Sequence, residues 1–266
     1  MSNSRRAPAE AALACHRLSV AVPGRVLVAD LDLAIAPRSF VCLLGENGSG
    51  KTLTLHTLAG IRPPSRGDVS LLGVTLDEHS QRRRARALGL LAQHDENAFP
   101  STVLEAVLIG RHPHVSFWRW ESPEDIRLAR AALARVDLAD MEERPLTTLS
   151  GGERRRVAIA AVLAQNPAVY LLDEPLNHLD PHHQLDVLRL FTEEARNGKT
   201  VIASLHDVNM AARFADSVLL LFGDGSWIFG PADSVLAESH LSRLYRLPLR
   251  QFCAGGQRIF LPSSGT

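Results

Sequence analysis

The sequence has little cysteine: Cys15, Cys42 and Cys253 are scattered along 266 residues without CxxC spacing. So few, and an odd number, exclude a disulfide framework and predict free thiols in a reducing compartment. No stretch approaches the roughly 18 uncharged apolar residues that a bilayer-crossing helix needs, so any work at a membrane is expected to run through a partner. Residues 1–10 carry arginines with no apolar run behind them, unlike a secretory signal. Net charge is also absent. With 29 basic and 29 acidic side chains, the chain does not look built to grip a polyanion, and no nucleic-acid partner is expected. The basic runs Arg82-Arg83-Arg84 with Arg86, and Arg154-Arg155-Arg156, read as solvated helix faces. Neither repeats nor long Gly/Ser or Pro linkers interrupt the chain.

What remains is ordinary globular material, 45% hydrophobic and 22% charged, able to bury a core. Leu31-Asp32-Leu33-Ala34-Ile35 alternates as a half-buried strand would. Phe40–Leu44 is a continuous apolar run ended by Gly45, the pattern of a fully buried strand. Further buried strands are expected at Val169–Leu172 and Thr200–Leu205. Between Ser101 and Leu149 the periodicity is helical, over Val103–Ile109 and Pro123–Val136. Helical material between buried strands predicts a subdomain inserted into an α/β core, and the segment from about Leu247 reads as an irregular tail packed on it.

The strongest signal is Gly45-Glu46-Asn47-Gly48-Ser49-Gly50-Lys51-Thr52, a full match to Gly-x4-Gly-Lys-Ser/Thr, following a buried strand and opening a helix expected over Lys51–Ala59. Its glycines let successive backbone N–H groups turn toward a polyphosphate, and the helix adds its positive N-terminal end. Lys51 can reach the outer phosphates and the Thr52 hydroxyl can coordinate Mg²⁺. Val169-Tyr170-Leu171-Leu172-Asp173-Glu174 supplies the complement. A buried strand ending in Asp173 delivers a carboxylate to the metal at the sheet's C-terminal edge, and Glu174 can orient the attacking water as general base.

Leu149-Ser150-Gly151-Gly152-Glu153 lies between these halves and resembles the LSGGQ signature of ABC (ATP-binding cassette) ATPases. Its serine and glycines can form a second anion cradle at a helix start. Other elements match the family in order. Gln93 resembles the Q-loop glutamine that senses Mg²⁺ and water, Asn177-His178-Leu179-Asp180 resembles the D-loop, and His206 resembles the switch histidine. The resemblance implies ATP and Mg²⁺ as cofactors, with Gly45 to Thr52, Ser150, Gly151, Gly152, Glu153 and Asp180 around the nucleotide. It makes Thr52, Gln93 and Asp173 the metal's neighbours and Glu174, His206 and Gln93 the catalytic group. It also implies a head-to-tail dimer with a second copy. Many members place an aromatic residue against adenine; here Val22 stands at that position, with Arg25 and His16 nearby, and GTP is not excluded.

The implied fold is α/β: a phosphate-loop NTPase core with an antiparallel β portion and an inserted helical subdomain. One ABC ATPase domain is expected over 12–245 (core 12–92 and 155–245, helical subdomain about 93–154), followed by a tail at 246–266. Gly110-Arg111-His112-Pro113-His114, Leu179-Asp180-Pro181-His182-His183-Gln184 and His206-Asp207-Val208-Asn209-Met210 resemble the ATPases of importers for iron-siderophores, haem and cobalamin. Such a subunit works with transmembrane permease subunits, and indirectly with a substrate-binding protein, peripherally on the cytoplasmic face of the inner (plasma) membrane. Leu176 departs from the family's usual Thr, and Glu153 from its Gln. Histidines 112, 114, 182 and 183 read as parts of these stretches rather than as a metal site. Phe117-Trp118-Arg119-Trp120 either packs on the permease or caps its own lobe. Rival readings are a soluble ABC ATPase without a transport role, a module that holds ATP without hydrolysing it, and an importer or exporter ATPase for another cargo.

Overall fold

The structure, a computed structural model, describes residues 11–93, 101–115 and 120–263. The chain opens with strands β1 (Leu13–Val22), β2 (Arg25–Ile35) and β3 (Phe40–Leu44), helix α1 (Lys51–Leu58), and strands β4 (Arg66–Leu71) and β5 (Val74–Thr75). Helix α2 (Gln81–Ala87) and strand β6 (Leu88–Leu91) lead into α3 (Val103–Leu108), α4 (Pro123–Ala134) and α5 (Gly151–Gln165). Then β7 (Val169–Leu172), α6 (Pro181–Arg196), β8 (Thr200–Ser204), α7 (Val208–Phe214), β9 (Ser217–Leu221) and β10 (Trp227–Pro231) alternate. Helices α8 (Ala232–Val235) and α9 (Glu238–Tyr245) precede a final pair of strands, β11 (Leu249–Ala254) and β12 (Gln257–Pro262).

Two main sheets form. One is antiparallel, in the order β2-β1-β4-β5; the other runs β10-β9-β3-β8-β7-β6, parallel except for β10. Burial explains the arrangement. Every residue of β3, β7 and β8 is buried, and their side chains alternate between two apolar clusters. Val41, Leu43, Val169 and Leu171 pack with β1, β2 and α1, whereas Phe40, Cys42, Leu44, Tyr170 and Leu172 pack with the helices on the other face. Five parallel strands thus present their C-terminal ends along one edge, the edge where α/β folds place ligands.

The helical insertion packs α3 and α4 against α5. Each begins with a capping box: Thr102 with Glu105, Ser122 with Asp125, and Ser150 with Glu153. Gly110 lies so close to α5 that a Cβ there would sit 2.0 Å from the Ala161 carbonyl oxygen. Beside it, buried Arg111 donates to Asp125 at 2.8 Å and to the Ala164 carbonyl at 2.7 Å. The Ser122 hydroxyl, and after it the Arg111 guanidinium, hold the Asp125 carboxyl down at about 2.

Three expectations need correction. Helix α5 runs unbroken through residues 151–165, so the boundary expected between 154 and 155 falls inside a helix. The segment from Leu247 contains an antiparallel hairpin, β11 with β12, closed by Gly255 and Gly256 at φ +57° and +74°; left-handed glycines in a two-residue turn match the twist of the strands. The arginine runs are not simply solvated faces. Arg155 is buried, Arg156 donates to the Val136 carbonyl, and Arg82 and Arg86 both donate to the Pro113 carbonyl. Of the aromatic knot, Phe117, Trp118 and Arg119 lie outside the described residues, while Trp120 is 90% exposed. Among the described residues, Cys15, Cys42 and Cys253 are free thiols, no helix is long and apolar enough to cross a membrane, and no His/Cys/Asp/Glu group could hold a metal ion by itself.

Candidate active site

Strand β3 ends at Gly45, where side-chain space is closed: a Cβ would lie 2.3 Å from Ser49 Oγ and 2.7 Å from the Leu221 carbonyl. The loop then turns through Gly48 and Gly50, at φ +76° and +103°, a region open to glycine without strain. Helix α1 starts at Lys51, whose side chain folds back so that Nζ donates to the carbonyls of Gly45 at 2.7 Å and Glu46 at 3.2 Å. Burial pushes this ammonium below the usual lysine range, against the pull of Glu174 and Asp173. The loop borders a cavity of about 360 Å³, whose walls include Asn47, Lys51, Thr52, Gln93, Glu174 and His206. Four segments far apart in sequence, the phosphate loop and those carrying Gln93, Glu174 and His206, therefore meet at one sheet edge.

Asp173 is fully buried at the end of β7. Its Oδ1 accepts from Ser204 Oγ at 2.7 Å, but its Oδ2 has no hydrogen-bond partner. A buried carboxylate oxygen without a donor is costly unless a cation meets it. Thr52 and Gln93 line the cavity, Asp173 directly precedes its Glu174, and the three offer oxygen ligands of the kind Mg²⁺ takes.

Glu174 adopts φ +48°, a left-handed conformation that costs a non-glycine residue about 1 kcal/mol or more. Its surroundings impose it. The Glu174 N–H donates to Ser204 Oγ at 2.8 Å, and its carbonyl accepts from Arg155 at 2.9 Å and from the Asn177 N–H at 3.2 Å. The twist turns the carboxylate into the cavity. There Oε2 accepts from Gln93 Nε2 at 2.7 Å and from the Asn177 side-chain amide, and Oε1 lies 2.8 Å from His206 Nε2. Burial acts to raise the Glu174 carboxyl, but the Asn177 hydrogen bond, His206 and Lys51 together outweigh it, and the net shift is downward. Glu174 is accordingly an ionised carboxylate at neutral pH, held by three side chains.

The remaining expected residues gather elsewhere. Ser150, Gly151, Gly152 and Glu153 line a second cleft of about 450 Å³ with His178, Asp180 and His183, and it shares no lining residue with the first cavity. Ser150 caps α5, and Glu153 returns to the Ser150 N–H at 2.7 Å, so Glu153 serves the helix start. Asp180 caps α6 in the same way, accepting from the His183 N–H at 2.9 Å. Within one chain the two anion cradles stay apart.

Glu46 points away from the first cavity and pairs with Arg246 at 3.2 Å, while the Ser49 hydroxyl is buried without a partner. Val22 ends β1 at the Pro23-Gly24 turn, half-buried, and does not line the cavity; Leu27 does. Replacing Val22 with tyrosine would set a ring beside the expected base position, where stacking is worth about 1–3 kcal/mol. Equilibrium titration of Val22→Tyr should therefore show ATP binding roughly tenfold tighter than wild type; unchanged affinity would place the base elsewhere. Sequence reasoning passed over Asn177, Ser204 and Arg155 as individual contributors. Ser204, a hydroxyl closing a fully buried strand next to the switch-histidine segment, was the one with a readable signal.

Comparison with known proteins gives the family of the chain and its fold relatives. The ABC transporter family model matches residues 28–177. A hemin import ATP-binding protein, HmuV, of Nocardia farcinica is 40% identical over 227 residues, covering 85% of this chain and 78% of that protein. Among solved structures, a chain of an ABC transporter described as of the metal-chelate type, in an inward-facing conformation, superposes with a TM-score of 0.83 at 27% identity, covering 96% of this chain and 98% of its own. The cassette MJ0796, a dimer in a post-hydrolysis state with ADP and Pi, gives 0.72 at 26% identity, over 83% and 98%. Since the family match takes in the phosphate loop, the signature and the strand that ends in Asp173-Glu174, the chain belongs to the ABC transporter family, and it is an ATP-hydrolysing, transport-coupled cassette of that family.

Proposed function

We propose that two copies of this chain close head-to-tail on ATP and so drive a transmembrane permease that imports haem. The observation that carries the dimer is the separation of the two cradles. A γ-phosphate in the cavity of one copy needs a second set of donors, and the Ser150-Gly151-Gly152 cleft of another copy offers a hydroxyl and helix-start N–H groups of the right chemistry. Two such contacts, related by a twofold axis, form together or not at all.

In this reading the backbone of Gly45 to Gly50 and the Lys51 ammonium grip the phosphates. Thr52, Asp173 Oδ2 and Gln93 would hold Mg²⁺, which would neutralise the charge of the phosphates. Glu174 accepts the proton of the attacking water, His206 holds the carboxylate and the water in line, and Asn177 and Gln93 fix the carboxylate's rotamer. Asp180 lies beside the signature cleft, where it would meet the other copy. Closure on ATP and reopening after hydrolysis bias the permease between two states.

The haem cargo is supported by the hemin-import relative, and the metal-chelate neighbour keeps an iron-siderophore or cobalamin cargo as the second reading. The chain would sit peripherally at the cytoplasmic face of the inner membrane, with a substrate-binding protein feeding the permease from the far side. Affinity purification from native membranes with mass spectrometry, followed by ATP-driven haem uptake into vesicles holding the recovered complex, tests this. A polytopic permease and uptake of haem support it. Recovery with ribosomes or nucleic acid and without a membrane protein would contradict it.

A further inference from the structure

Helix α9 and the hairpin that follows it grip the segment bearing His206 from two directions. From α9, Tyr245 Oη donates to the carbonyl oxygen of His206 itself at 3.3 Å. From β12, the Phe260 N–H donates to Asn209 Oδ1 at 2.7 Å, and Asn209 Nδ2 donates back to the Phe260 carbonyl at 3.3 Å. Asn209 lies in the first turn of α7, three residues after His206, so its amide completes the hairpin's edge as another strand would. Phe260 is 2% exposed, which anchors that edge in the core shared with α7. A third contact, Arg246 to Glu46 of the phosphate loop at 3.2 Å, joins two exposed groups and is worth little by itself.

His206 otherwise has few restraints. Its side chain is 46% exposed, and its Nε2 must stay 2.8 Å from Glu174 Oε1 to share the water-orienting task. A shift of about 1 Å at such a position is enough to cost a large part of a rate. We propose that the C-terminal clasp, through Tyr245 and Asn209, sets the position of His206 and thereby the rate of ATP hydrolysis. Both are positioning residues: neither lines the nucleotide cavity, and each acts on the backbone that carries the histidine. The inference rests on the ATPase reading above and extends it to a segment outside the family match.

The test compares steady-state ATP hydrolysis by the permease-bound complex carrying wild-type, Tyr245→Phe or Asn209→Ser chains, alone and combined with His206→Ala. Losing a hydrogen bond of this kind should lower kcat about 3- to 10-fold, with KM for ATP unchanged. In the His206→Ala background the same substitutions should add no further loss, because the group they position is gone. A purely structural role predicts the same fold-loss in both backgrounds. That result, or a wild-type kcat in both variants, overturns the inference while leaving the ATPase reading intact. A wild-type complex that releases no phosphate would instead overturn the ATPase reading, and this inference with it.

Discussion

Glu174→Gln is expected to abolish turnover, with ATP hydrolysis falling about 10²- to 10⁴-fold, the range supplied by a positioned general base, while ATP binding is retained. Three side chains, Gln93, Asn177 and His206, converge on this carboxylate, and the backbone is held at φ +48° to aim it into the cavity. Glutamine keeps the shape and can still accept from two of these donors, so the site should stay assembled. What it loses is the charge: Glu174 is held ionised, and a neutral amide takes no proton from water. The variant should trap the ATP-bound dimer because closure no longer leads to hydrolysis. Measuring phosphate release and nucleotide occupancy on the same sample separates the two effects. Wild-type hydrolysis by Glu174→Gln would remove Glu174 from the mechanism.

Arg155→Leu is expected to cost about 3–4 kcal/mol of stability, read as a shifted denaturation midpoint with unchanged slope. Arg155 sits on α5, 6% exposed. Its guanidinium reaches the carbonyls of Ala92 and Asp173, each at 2.6 Å, and those of Glu174 at 2.9 Å and Pro175 at 3.4 Å. These residues directly follow the ends of two neighbouring parallel strands, β6 and β7, and open the loops that carry Gln93 and Glu174. Leucine fills the stem's volume but leaves buried acceptors without their donor. Lysine should rescue poorly, since one ammonium cannot replace a planar fork that bridges several acceptors. The same substitution should lower hydrolysis more than ATP binding, because the phosphate loop lies on a different strand. A variant as stable as wild type would show that these carbonyls are satisfied by other means.

Much of this was legible in the sequence, for identifiable physical reasons. Strands Phe40–Leu44 and Val169–Leu172 lie where their continuous apolar runs placed them, since parallel strands buried on both faces favour near-continuous apolar runs, and these two stop at a glycine and an acid. The phosphate loop and the Asp173-Glu174 pair were readable because their chemistry demands fixed spacing next to a strand end. The capping-box residues could be read only as signature or loop residues, yet Glu153 proves to close its own helix start. The hairpin at Leu249–Pro262 was obscured because most of β11 is exposed, with polar residues on both faces, so no alternation stands out. Its one local signal was Gly255-Gly256. Arg155 and Asn177 act across the fold, on partners brought near by tertiary packing, and no local pattern marks one arginine of a run as the buried one.

The central claim is that one hydrolytic site is built from two copies, the phosphate loop of one and the signature of the other. It is tested by mixing two inactive variants, Lys51→Ala and Gly151→Asp, and measuring phosphate release. A Cβ at Gly151 would meet the His178 side chain at an ordinary 3.6 Å, and an acid in the first helical turn suits the helix, so this variant should fold while repelling the γ-phosphate. Each variant alone has two defective sites per dimer. A mixed dimer has one site with both defects and one site with none, so random pairing should restore roughly a quarter of wild-type turnover if the sites act independently. Activity that appears on mixing is the predicted result. A mixture as inactive as its parts, despite mixed dimers confirmed by differential tagging, would contradict the shared site.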